Sequence, residues 1–586
     1  MCRICGFTFE KKDEIEKIKR MSDSLRRGGP DDEGLFVDKN LCLCSRRLSI
    51  IDLSMKAHQP MLSEDKNYVI TYNGEIYNFK EIREELKKQN FEFFSESDTE
   101  VILKSYILWG EESFKKFNGM FAFAIFDKKK SLLYLVRDTM GIKPLYYSIR
   151  NGRIIFSSEI RGFKSYDDKW EEDERWRIYF LIFGFIPSPF TTLKDVFLLK
   201  EGHFLRYDLK TKEIEIRKYY DYNFSCKIKR EEEAKDGVKE YLSNAVRRHL
   251  ISDAPIGVFL SGGMDSTLIA ILSSKFKGKI KTLSITFKER EYDETLYQKI
   301  VSKSIGSEHH SYEVKKDDFY KNLEDIMDAM DQPTFDGVNT YFISKYAKEI
   351  GLKSVLSGLG GDEIFGGYPS FKRIEYLMFS RELLNTLIFE KIDDDRLKRF
   401  TYFNIKNPIA YYLMLRSVFT LKEISIILDA DIREINNFLK DLYWEKGIKD
   451  LGRKNFVSYL EMFYMKNQLL KDSDFMSMWN SVEIRVPFLD KELLDYAFSI
   501  DERIRFKKEK YLLKKGFDKL LPAEIIERKK QGFSFPMKEW LKEIEFPINQ
   551  SVLNRKAVSV FIKKQREGKL HWTKNWSLFI VSLKKF

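Results

Sequence analysis

Cysteine and histidine are scarce in this sequence. Its 586 residues include five cysteines and six histidines, and the histidines show no metal-ligand spacing. The odd cysteine count argues against a disulfide framework. Cys2, Cys5, Cys42 and Cys44 have a spacing found in zinc sites, but the last two alternate with leucines as in a strand, which favours small buried hydrophobes. We therefore predict neither a disulfide-stabilised fold nor a zinc protein.

Long hydrophobic runs, internal repeats and low-complexity linkers are also missing. No stretch approaches about 18 consecutive apolar residues, so no membrane span is predicted. The first residues lack the pattern of a secretory signal. Hydrophobic residues make up 43% and charged residues 33%, the balance of a globular chain. We expect a cytosolic protein of two or three domains.

The charge is unbalanced, with a formal net charge of +12. Most lysines nevertheless alternate with acids, as in residues 231–235, and runs such as 128–130 are short. This pattern favours a solvated surface over a nucleic-acid face. A non-catalytic nucleic-acid-binding protein is the alternative from another class, and its signature would be salt-sensitive binding to DNA or RNA.

The pattern of predicted elements changes near residues 210–230. Before it, short strands are predicted at 68–72, 120–127, 132–137 and 153–158, with a helix at 78–88. After it, helices are predicted at 229–250 and 266–274 and strands at 255–260, 282–287 and 354–356, and the chain is mostly helical from 371. We predict an α+β domain of packed antiparallel sheets over 2–210. Residues 230–586 are predicted to form an α/β domain with a parallel sheet and a helical C-terminal extension.

Cys2 is a candidate nucleophile. If an aminopeptidase removes Met1, which the small side chain of Cys2 permits, the thiol lies beside a free α-amine of reference pKa about 7.7–8.0. Such an amine can serve as the general base of an N-terminal nucleophile. A cysteine at position 2 is usually incidental, so its role depends on the segments that follow.

Six such segments follow in order: RLSIID at 47–52, HQPM at 58–61, NGEIYN at 73–78, SDTE at 97–100, RDTMGIKPL at 137–145 and SSEI at 157–160. Together they resemble the class II glutamine amidotransferase domain of the glutamine-hydrolysing asparagine synthetase family. The resemblance implies an N-terminal-nucleophile αββα sandwich over 2–210, with Cys2 as the nucleophile.

The residue types in these segments suit glutamine hydrolysis. Arg47 offers a fork-shaped guanidinium for the α-carboxylate, and Glu75 and Asp98 match the α-ammonium by position. The Asn73 side-chain amide and the Gly74 backbone N–H would stabilise the oxyanion, although Asn-Gly after a strand is by itself usually a hairpin turn. The glutamine-binding set implied by the resemblance is Arg47, Ile51, Asn73, Gly74, Glu75 and Asp98.

Two positions depart from the family pattern. Arg3 stands where members usually carry glycine, and Arg27-Gly28-Gly29-Pro30-Asp31 stands where they usually read His-Arg-Gly-Pro-Asp. Both lie in stretches that the family uses near its glutamine site, so we expect weaker glutamine turnover.

The segment Ser261-Gly262-Gly263-Met264-Asp265-Ser266 directly follows a predicted strand and opens a helix. Its glycines allow a sharp turn, and successive N–H groups would face an anion at the helix N-terminus. It resembles the pyrophosphate loop of ATP pyrophosphatases that form acyl-adenylates, and it lacks the Gly-Lys-Ser/Thr of a Walker A loop. Asp265 could reach a Mg²⁺ ion that bridges the phosphates.

SGLGGDEIFGGY at 357–368 follows a second strand, and both loops should share one crevice because ligands bind beyond the carboxyl ends of parallel strands. The resemblance implies that Asp362 is the second Mg²⁺ ligand and that Glu363 is a candidate base for the attacking ammonia. The implied ATP-binding residues are Phe259, Ser261, Gly262, Gly263, Asp265, Ser266, Ile285, Ser357 and Gly358.

Further segments at 470–478, 483–490, 510–515, 521–522 and 531–533 also match the synthetase family. By that alignment Lys510 is the catalytic lysine, whose charge would stabilise the α-phosphate in the transition state, with Glu363 within reach. The alternative is an exposed cluster, because Lys507, Lys508 and Lys514 lie close by.

The resemblance extends over about residues 2–540. It implies conversion of L-aspartate, L-glutamine and ATP to L-asparagine, L-glutamate, AMP and pyrophosphate, with Mg²⁺ and with ammonia passing inside the protein. The family's frequent dimers make a homodimer the expectation. There is an alternative to aspartate as the acceptor. Leu359 occupies a position that is acidic in aspartate-using members, and residues 331–340 look like a variant seen in relatives that amidate other acids. A uronic acid of a surface polysaccharide is that alternative.

Overall fold

The fold is known from a computed structural model. It describes residues 2–583 except 168, 381–394, 406, 441, 443–447, 529–531, 533–534, 544–548 and 550–551. Over these residues no helix is both long enough and apolar enough to cross a membrane. The five cysteines are all free, and Cys5 lies opposite Cys44 on neighbouring strands.

Two six-stranded antiparallel sheets form the first part of the protein. Their strands are β1 (Cys2–Thr8), β2 (Asp32–Val37), β3 (Leu41–Arg47), β4 (Met61–Leu62), β5 (Tyr68–Ile76), β6 (Gly119–Asp127), β7 (Leu132–Arg137), β8 (Tyr146–Arg150), β9 (Arg153–Ser157), β10 (Val196–Leu198), β11 (His203–Asp208) and β12 (Ile214–Lys218). The sheet orders are β10-β8-β9-β1-β3-β2 and β12-β11-β7-β6-β5-β4. Ile4 and Leu43 of the first sheet pack against Ala124 and Leu135 of the second, so the sheets lie face to face.

Helices cover the outer face of each sheet. The helices of this part are α1 (Glu16–Ser24), α2 (Phe79–Lys87), α3 (Asp98–Trp109), α4 (Ile160–Tyr166) and α5 (Arg175–Phe183). Met21 of α1 and Phe163 of α4 share a core with the first sheet, whereas α2 and α3 pack on the second. The predicted αββα sandwich is confirmed, and β12 continues its second sheet beyond residue 210. Because α5 is apolar on nearly all sides, it is buried in the core of the helical extension instead.

The second part contains a five-stranded parallel sheet. Its strands are β13 (Ile256–Phe259), β14 (Lys281–Thr286), β15 (Glu308–Glu313), β16 (Ser354–Leu356) and β17 (Glu483–Arg485), in the order β15-β14-β13-β16-β17. The predicted parallel sheet is confirmed, but two of its strands were not predicted. β15 and β17 are the two edge strands, β15 is mostly polar and β17 (Glu-Ile-Arg) has a single apolar residue, so neither produces the apolar run of a central parallel strand.

Helices make up most of the remaining chain, including the predicted C-terminal extension. They are α6 (Glu231–His249), α7 (Met264–Lys277), α8 (Thr295–Ser304), α9 (Lys316–Lys321), α10 (Leu323–Ala329), α11 (Val338–Glu349), α12 (Gly361–Phe365), α13 (Ser370–Ser380), α14 (Asp395–Lys398), α15 (Ile409–Arg416), α16 (Leu421–Leu428), α17 (Ile432–Lys440), α18 (Arg453–Tyr464), α19 (Leu470–Trp479), α20 (Lys491–Ser499), α21 (Glu502–Arg505), α22 (Tyr511–Gly516), α23 (Ala523–Glu527), α24 (Met537–Trp540), α25 (Arg555–Arg566) and α26 (Trp572–Leu583). α6 has three glutamates in its first turn and Arg247, Arg248 and His249 in its last, which favours helix formation through the helix dipole.

Candidate active sites

The residues predicted to bind glutamine meet at the end of the first sheet. β1 and β3 pair so that Cys2 lies opposite Arg47, and Asp98 begins α3. The shared cavity has a volume of about 20 Å³, and its lining includes Cys2, Arg47, Ile51, Gly74, Glu75 and Asp98. Asn73 Oδ1 accepts a hydrogen bond from the Cys2 backbone N–H at 3.4 Å. The structure therefore brings together every residue of the predicted set.

Asn73 and Gly74 lie inside a strand rather than in a hairpin turn. Both belong to β5 and pair with β6. Gly74 has a φ of 150°, and a Cβ there would lie 2.2 Å from the carbonyl oxygen of Met120, so glycine is required. The side-chain Nδ2 of Asn73 is buried and has no hydrogen-bond partner in the described part of the chain. That N–H group is suited to an oxyanion.

Burial dominates the electrostatics around Cys2. It raises the pKa of the Cys2 thiol, and the nearby Arg47 guanidinium acts in the opposite direction. Arg47 itself donates to the backbone carbonyls of Ile51 at 3.2 Å and Ser54 at 3.3 Å. The arginine thus fixes the loop that forms one wall of the cavity.

The two acids of this cavity are held differently. Asp98 accepts hydrogen bonds from the Tyr72 hydroxyl at 2.8 Å and the Ile76 N–H at 3.0 Å. Glu75 lies 3.3 Å from the guanidinium of Arg485, which belongs to β17 of the second part. Burial raises the pKa of both carboxyls, and for Glu75 the neighbouring Glu483 adds to the shift. The position of Glu75 therefore depends on the other half of the protein.

Gln59 and Thr99 also line this cavity, and we did not assign them a role from the sequence. Gln59 Nε2 lies 3.9 Å from Cys2 Sγ and 3.3 Å from Thr99 Oγ1, and its Oε1 accepts from the Tyr72 N–H at 2.7 Å. Both residues fall in segments that carried the family resemblance. Their place in these segments was the signal from which a role at the glutamine cavity could have been predicted.

The two departures from the family pattern touch each other. A Cβ built on Gly28 would lie 2.6 Å from Cγ of Arg3 and 2.9 Å from its Nε. The Arg3 side chain therefore fills the space that a side chain at position 28 would need. Since a family member usually has glycine at the first position and arginine at the second, this chain has exchanged the two residue types across one contact.

Arg3 is fully buried and connects the two halves of the protein. Its guanidinium lies 2.5 Å from Glu159 and 2.8 Å from Asp474 of α19, and Lys143 lies 3.0 Å from the same aspartate. Burial alone would raise the pKa of Asp474, but Arg3 and Lys143 lower it below its usual value. The residue next to the candidate nucleophile thus belongs to a buried ion cluster at the interface.

The predicted nucleotide loops lie at the point where the order of the parallel sheet reverses. β13 and β16 are neighbours, and the chain leaves β13 toward β14 on its other side. Such a switch point is where open parallel sheets bind ligands. A cavity of about 390 Å³ lies there, and the predicted residues in its lining are Phe259, Ser261, Gly263, Asp265, Ser266, Ser357, Gly358, Asp362, Glu363 and Lys510.

Lys510 holds the two predicted metal ligands together. Its Nζ lies 2.6 Å from Asp265 and 2.5 Å from Asp362. Burial alone would lower the pKa of Lys510, but the two carboxylates outweigh it and raise the pKa. The lysine is 6% exposed and lines the cavity, so the interpretation as an exposed lysine cluster does not hold for it.

Glu363 lines the same cavity and directly follows Asp362, which pairs with Lys510. Its Oε1 accepts a hydrogen bond from the Tyr368 hydroxyl at 2.7 Å, and its backbone carbonyl accepts one from Ser458 at 2.9 Å. These contacts fix the carboxylate at the start of α12. The structure therefore fixes the Glu363 carboxylate in the lining of the nucleotide cavity, and its role as a base stays a prediction.

Two predicted nucleotide contacts lie outside the described cavity lining. Ile285 is buried in the hydrophobic core, and the backbone oxygen of Gly262 accepts a hydrogen bond from Arg528 at 2.8 Å. Arg528 lines the same nucleotide cavity and also pairs with Glu294, so it connects the loop at Gly262 to the residue that precedes α8. Sequence reasoning missed Arg528. Met1, Gln531 and Phe533, named in the predictions, lie outside the described residues.

The acids at Lys510 also suit a hard divalent cation. Asp265 and Asp362 both contact one ammonium group, so their oxygens converge. No group of three or more histidine, cysteine or acidic side chains within the described ranges could hold a metal on its own. Mg²⁺ commonly uses one or two carboxylates and completes its shell with phosphate oxygens, which fits this pair.

In comparisons with known proteins, each half of the chain matches a protein family. The profile of the glutamine amidotransferase domain matches residues 1–220, and that of asparagine synthase matches 237–584. Asparagine synthetase [glutamine-hydrolyzing] 1 of Bacillus subtilis (strain 168) is 31% identical, covering 96% of this chain and 92% of that protein. A putative asparagine synthetase [glutamine-hydrolyzing] 2 of Methanocaldococcus jannaschii is 38% identical over 65% of this chain and 78% of its own length. Amidase chyE of Penicillium rubens is 26% identical over 90% of this chain and 85% of that protein.

Proposed function

Because the chain belongs to the glutamine-hydrolysing asparagine synthetase family, we propose that it converts a carboxylic acid to an amide with nitrogen from glutamine and energy from ATP. The observation that carries this proposal is the pair of built sites in one chain. One gathers a buried cysteine with groups suited to glutamine, and the other joins Lys510 to two aspartates at a sheet switch point.

At the first site, Cys2 Sγ attacks the side-chain amide carbon of glutamine. After loss of Met1, the α-amine of Cys2 takes the thiol proton and passes it to the departing ammonia. The Asn73 Nδ2 and Gly74 N–H groups stabilise the oxyanion. Arg47 binds the α-carboxylate of glutamine, and Glu75 and Asp98 bind its α-ammonium. Water then releases glutamate from the thioester.

At the second site, a carboxylate oxygen of the acceptor attacks the α-phosphorus of ATP and pyrophosphate leaves. Lys510 stabilises the negative charge that develops on the phosphate oxygens. Asp265 and Asp362 would hold Mg²⁺, which supplies charge neutralisation to the phosphates. Ammonia then attacks the acyl carbon, AMP leaves, and Glu363 accepts a proton from the nitrogen.

An apolar core between the sites supports internal transfer of ammonia. Leu48 and Ile50, which line the glutamine cavity, share one buried cluster with Val258 and Leu356 of the parallel sheet. Ammonia released into such surroundings stays unprotonated and nucleophilic, whereas most ammonia in neutral water is protonated.

Two acceptors are candidates. L-Aspartate is suggested by the names of the relatives, which describe asparagine synthetases. A uronic acid is favoured by Leu359, which lines the nucleotide cavity with an alkyl chain at the position where aspartate-using members carry an acid. Leucine offers no charge for the ammonium group of aspartate.

The test is an assay of pyrophosphate and AMP release from ATP with glutamine, in the presence and absence of L-aspartate. Equal amounts of pyrophosphate, AMP and asparagine are expected if aspartate is the acceptor. Glutamine hydrolysis without aspartate-dependent pyrophosphate would move the search to uronic acids. Absence of both glutaminase activity and any carboxylate-dependent pyrophosphate would overturn the proposed function.

A further inference from the structure

Two acids of the nucleotide cavity take no part in the proposed steps. Asp336 and Asp472 line this cavity together with Lys510 and Glu363. Asp336 immediately precedes Gly337, the residue before α11, and Asp472 lies in the first turn of α19. The two segments are in close contact, because a Cβ on Gly337 would lie 3.5 Å from Cβ of Asp472. Asp336 and Asp472 are here called the acid pair.

The Thr334 hydroxyl connects the two members of the acid pair. It accepts a hydrogen bond from the Asp336 N–H at 3.2 Å and donates one to Asp472 Oδ2 at 2.9 Å. Gln468 Nε2 donates to the same oxygen of Asp472 at 3.2 Å. These are neutral donors, so they position the Asp472 carboxylate without neutralising its charge.

No basic side chain among the described residues forms an ion pair with either acid. Lys471, next to Asp472 in the chain, donates to a backbone carbonyl at 2.9 Å instead. Arg416, which lines the same cavity, pairs with Glu461. Burial raises the pKa of both carboxyls of the acid pair, and the charge of Asp336 adds to the shift at Asp472. Since buried charges in proteins are normally paired, the acid pair lacks a cation.

A buried amide group beside the acid pair also lacks a partner. Gln468 is fully buried, and while its Nε2 donates to Asp472, its Oε1 has no hydrogen-bond partner in the part of the chain that the structure describes. An ammonium group has three N–H donors and one positive charge, which suits two carboxylates and an amide oxygen. A second anionic group placed here would be repelled. The site therefore favours a ligand with an ammonium group.

The acid pair lies near the centre of the second reaction. Burial raises the pKa of the Tyr464 hydroxyl, and Asp336, Asp472 and Glu363 all add to that shift, so the three acids lie close to one hydroxyl of the cavity lining. Glu363 directly follows Asp362, which pairs with Lys510. A small molecule that is held by its ammonium group at the acid pair can therefore extend a carboxylate toward the nucleotide.

We propose that the acid pair binds an ammonium group of the acceptor, so that Asp336 and Asp472 determine which carboxylic acid is amidated. This rests on the proposed function and selects the first of its two candidates, because L-aspartate carries an ammonium group and a simple uronic acid does not. The charge that Leu359 cannot offer is then supplied by two other segments, the residues before α11 and the first turn of α19.

The first test compares acceptors that differ in this ammonium group. Pyrophosphate release with ATP and glutamine would be measured with the full chain for L-aspartate, succinate, N-acetyl-L-aspartate and galacturonate. Succinate replaces the ammonium group by hydrogen, and N-acetyl-L-aspartate converts it to a neutral amide. We expect kcat/KM for L-aspartate to exceed each of the others about 10²-fold or more, because an acceptor without the cation leaves the acid pair unpaired. Mass spectrometry should identify asparagine as the product.

The second test removes one charge at a time from the acid pair. Asp472→Asn and Asp336→Asn keep the shape of each side chain. Each should raise KM for L-aspartate about tenfold and reduce the preference for L-aspartate over succinate by a similar factor, with KM for ATP and glutamine changed less than about twofold. A general structural defect would slow both acceptors alike and leave that preference unchanged. Asp328→Asn, exposed and outside the lining, is the matched control, and circular dichroism would confirm that each variant is folded.

The outcomes separate this inference from the proposed function. If succinate, N-acetyl-L-aspartate or galacturonate matches L-aspartate, or if both asparagine variants keep the full preference, the acid pair does not bind an ammonium group, but the amide ligase stands. If no carboxylate supports pyrophosphate release, both proposals are wrong.

Discussion

The two active sites differ in how they are held together. The glutamine cavity is narrow, about 20 Å³, and hydrogen bonds such as Tyr72 to Asp98 fix most of its polar groups. The nucleotide cavity is about twenty times larger, and the ion pairs of Lys510 with Asp265 and Asp362 organise its centre. The groups of the first site are therefore positioned by burial and by hydrogen bonds. The centre of the second site is organised by charged side chains that can also bind a cation and phosphates.

The difference also extends to their dependence on each other. The nucleotide residues named above all come from the second half of the chain, but the glutamine cavity uses Arg485 of β17 to position Glu75. Arg3, beside the nucleophile, contacts Asp474 of α19. The glutaminase is therefore the half whose site depends on contacts with the other half.

The largest expected effect separates the two chemistries. Cys2→Ala should reduce glutamine-dependent amide formation at least about 10⁴-fold, because the nucleophile is lost. Activity with ammonium salts should stay within twofold, since the nucleotide site is untouched. Both rates would be followed by pyrophosphate release. Cys5→Ala, on the same buried strand but outside the cavity, is the matched control; equal loss in both variants would show a structural effect instead.

Lys510→Ala tests the charged site. We expect pyrophosphate release to fall about 10²–10³-fold, as when an electrostatic stabiliser of a transition state is removed. Glutaminase activity without ATP should change less than twofold. Lys508→Ala, two residues away and exposed, should retain full activity. A similar loss in Lys508→Ala would assign the effect to the general positive charge of this segment.

The exchange of residues at positions 3 and 28 can be tested by a double-mutant cycle. Arg3→Gly leaves Asp474 with Lys143 alone, and we expect a loss of about 3 kcal/mol in unfolding free energy. Gly28→Arg overlaps Arg3 and should cost about 2 kcal/mol. The double variant, which restores the usual family pattern, should cost at least about 1 kcal/mol less than the sum. Urea unfolding measures the free energy of unfolding of each variant. Strictly additive losses would show that the residues at positions 3 and 28 do not interact.

The smallest expected effect is a pH dependence of stability that comes from Asp331, which accepts hydrogen bonds from the Ile160 and Arg161 N–H groups across the interface between the two halves. Burial raises the pKa of Asp331 to about 6, and Glu159 adds to the shift. Because the folded state binds this proton more tightly than the unfolded chain, whose pKa is about 3.9, stability should increase as pH falls from 7 toward 4. We expect Asp331→Asn to remove about 1–2 kcal/mol of that increase in urea unfolding. Asp328→Asn is the control, and an unchanged pH profile in Asp331→Asn would refute the assignment.

Much of the fold could be predicted because the sequence signals were local. The strand at 68–72 and the helix at 229–250 have the expected apolar periodicity and correspond to β5 and α6. β15 was not predicted because its pairing with β14 depends on backbone hydrogen bonds and not on an apolar run. The burial of α5 in the other half could not be predicted either, because an all-apolar helix does not reveal which core it joins.

The candidate sites show the same limit. Asp265, Asp362 and Lys510 were found through motifs, and the structure brings them into contact although they are far apart in sequence. Arg528 and Arg485 were missed because their roles come from contacts across the fold and not from a local pattern. The compatibility of Arg3 with Gly28 required coordinates, since neither residue alone indicates the other.

The burial of α5 in the other half of the protein has a consequence for how the gene can evolve. The helix falls within the residues that match the glutamine amidotransferase domain, but Trp176, Phe180 and Phe183 are buried in the helical extension. If the gene were divided after residue 220, the first product would expose this aromatic surface to water and the second would lose part of its core. Gene fission would therefore yield two insoluble products, and selection should keep the two halves as a single reading frame.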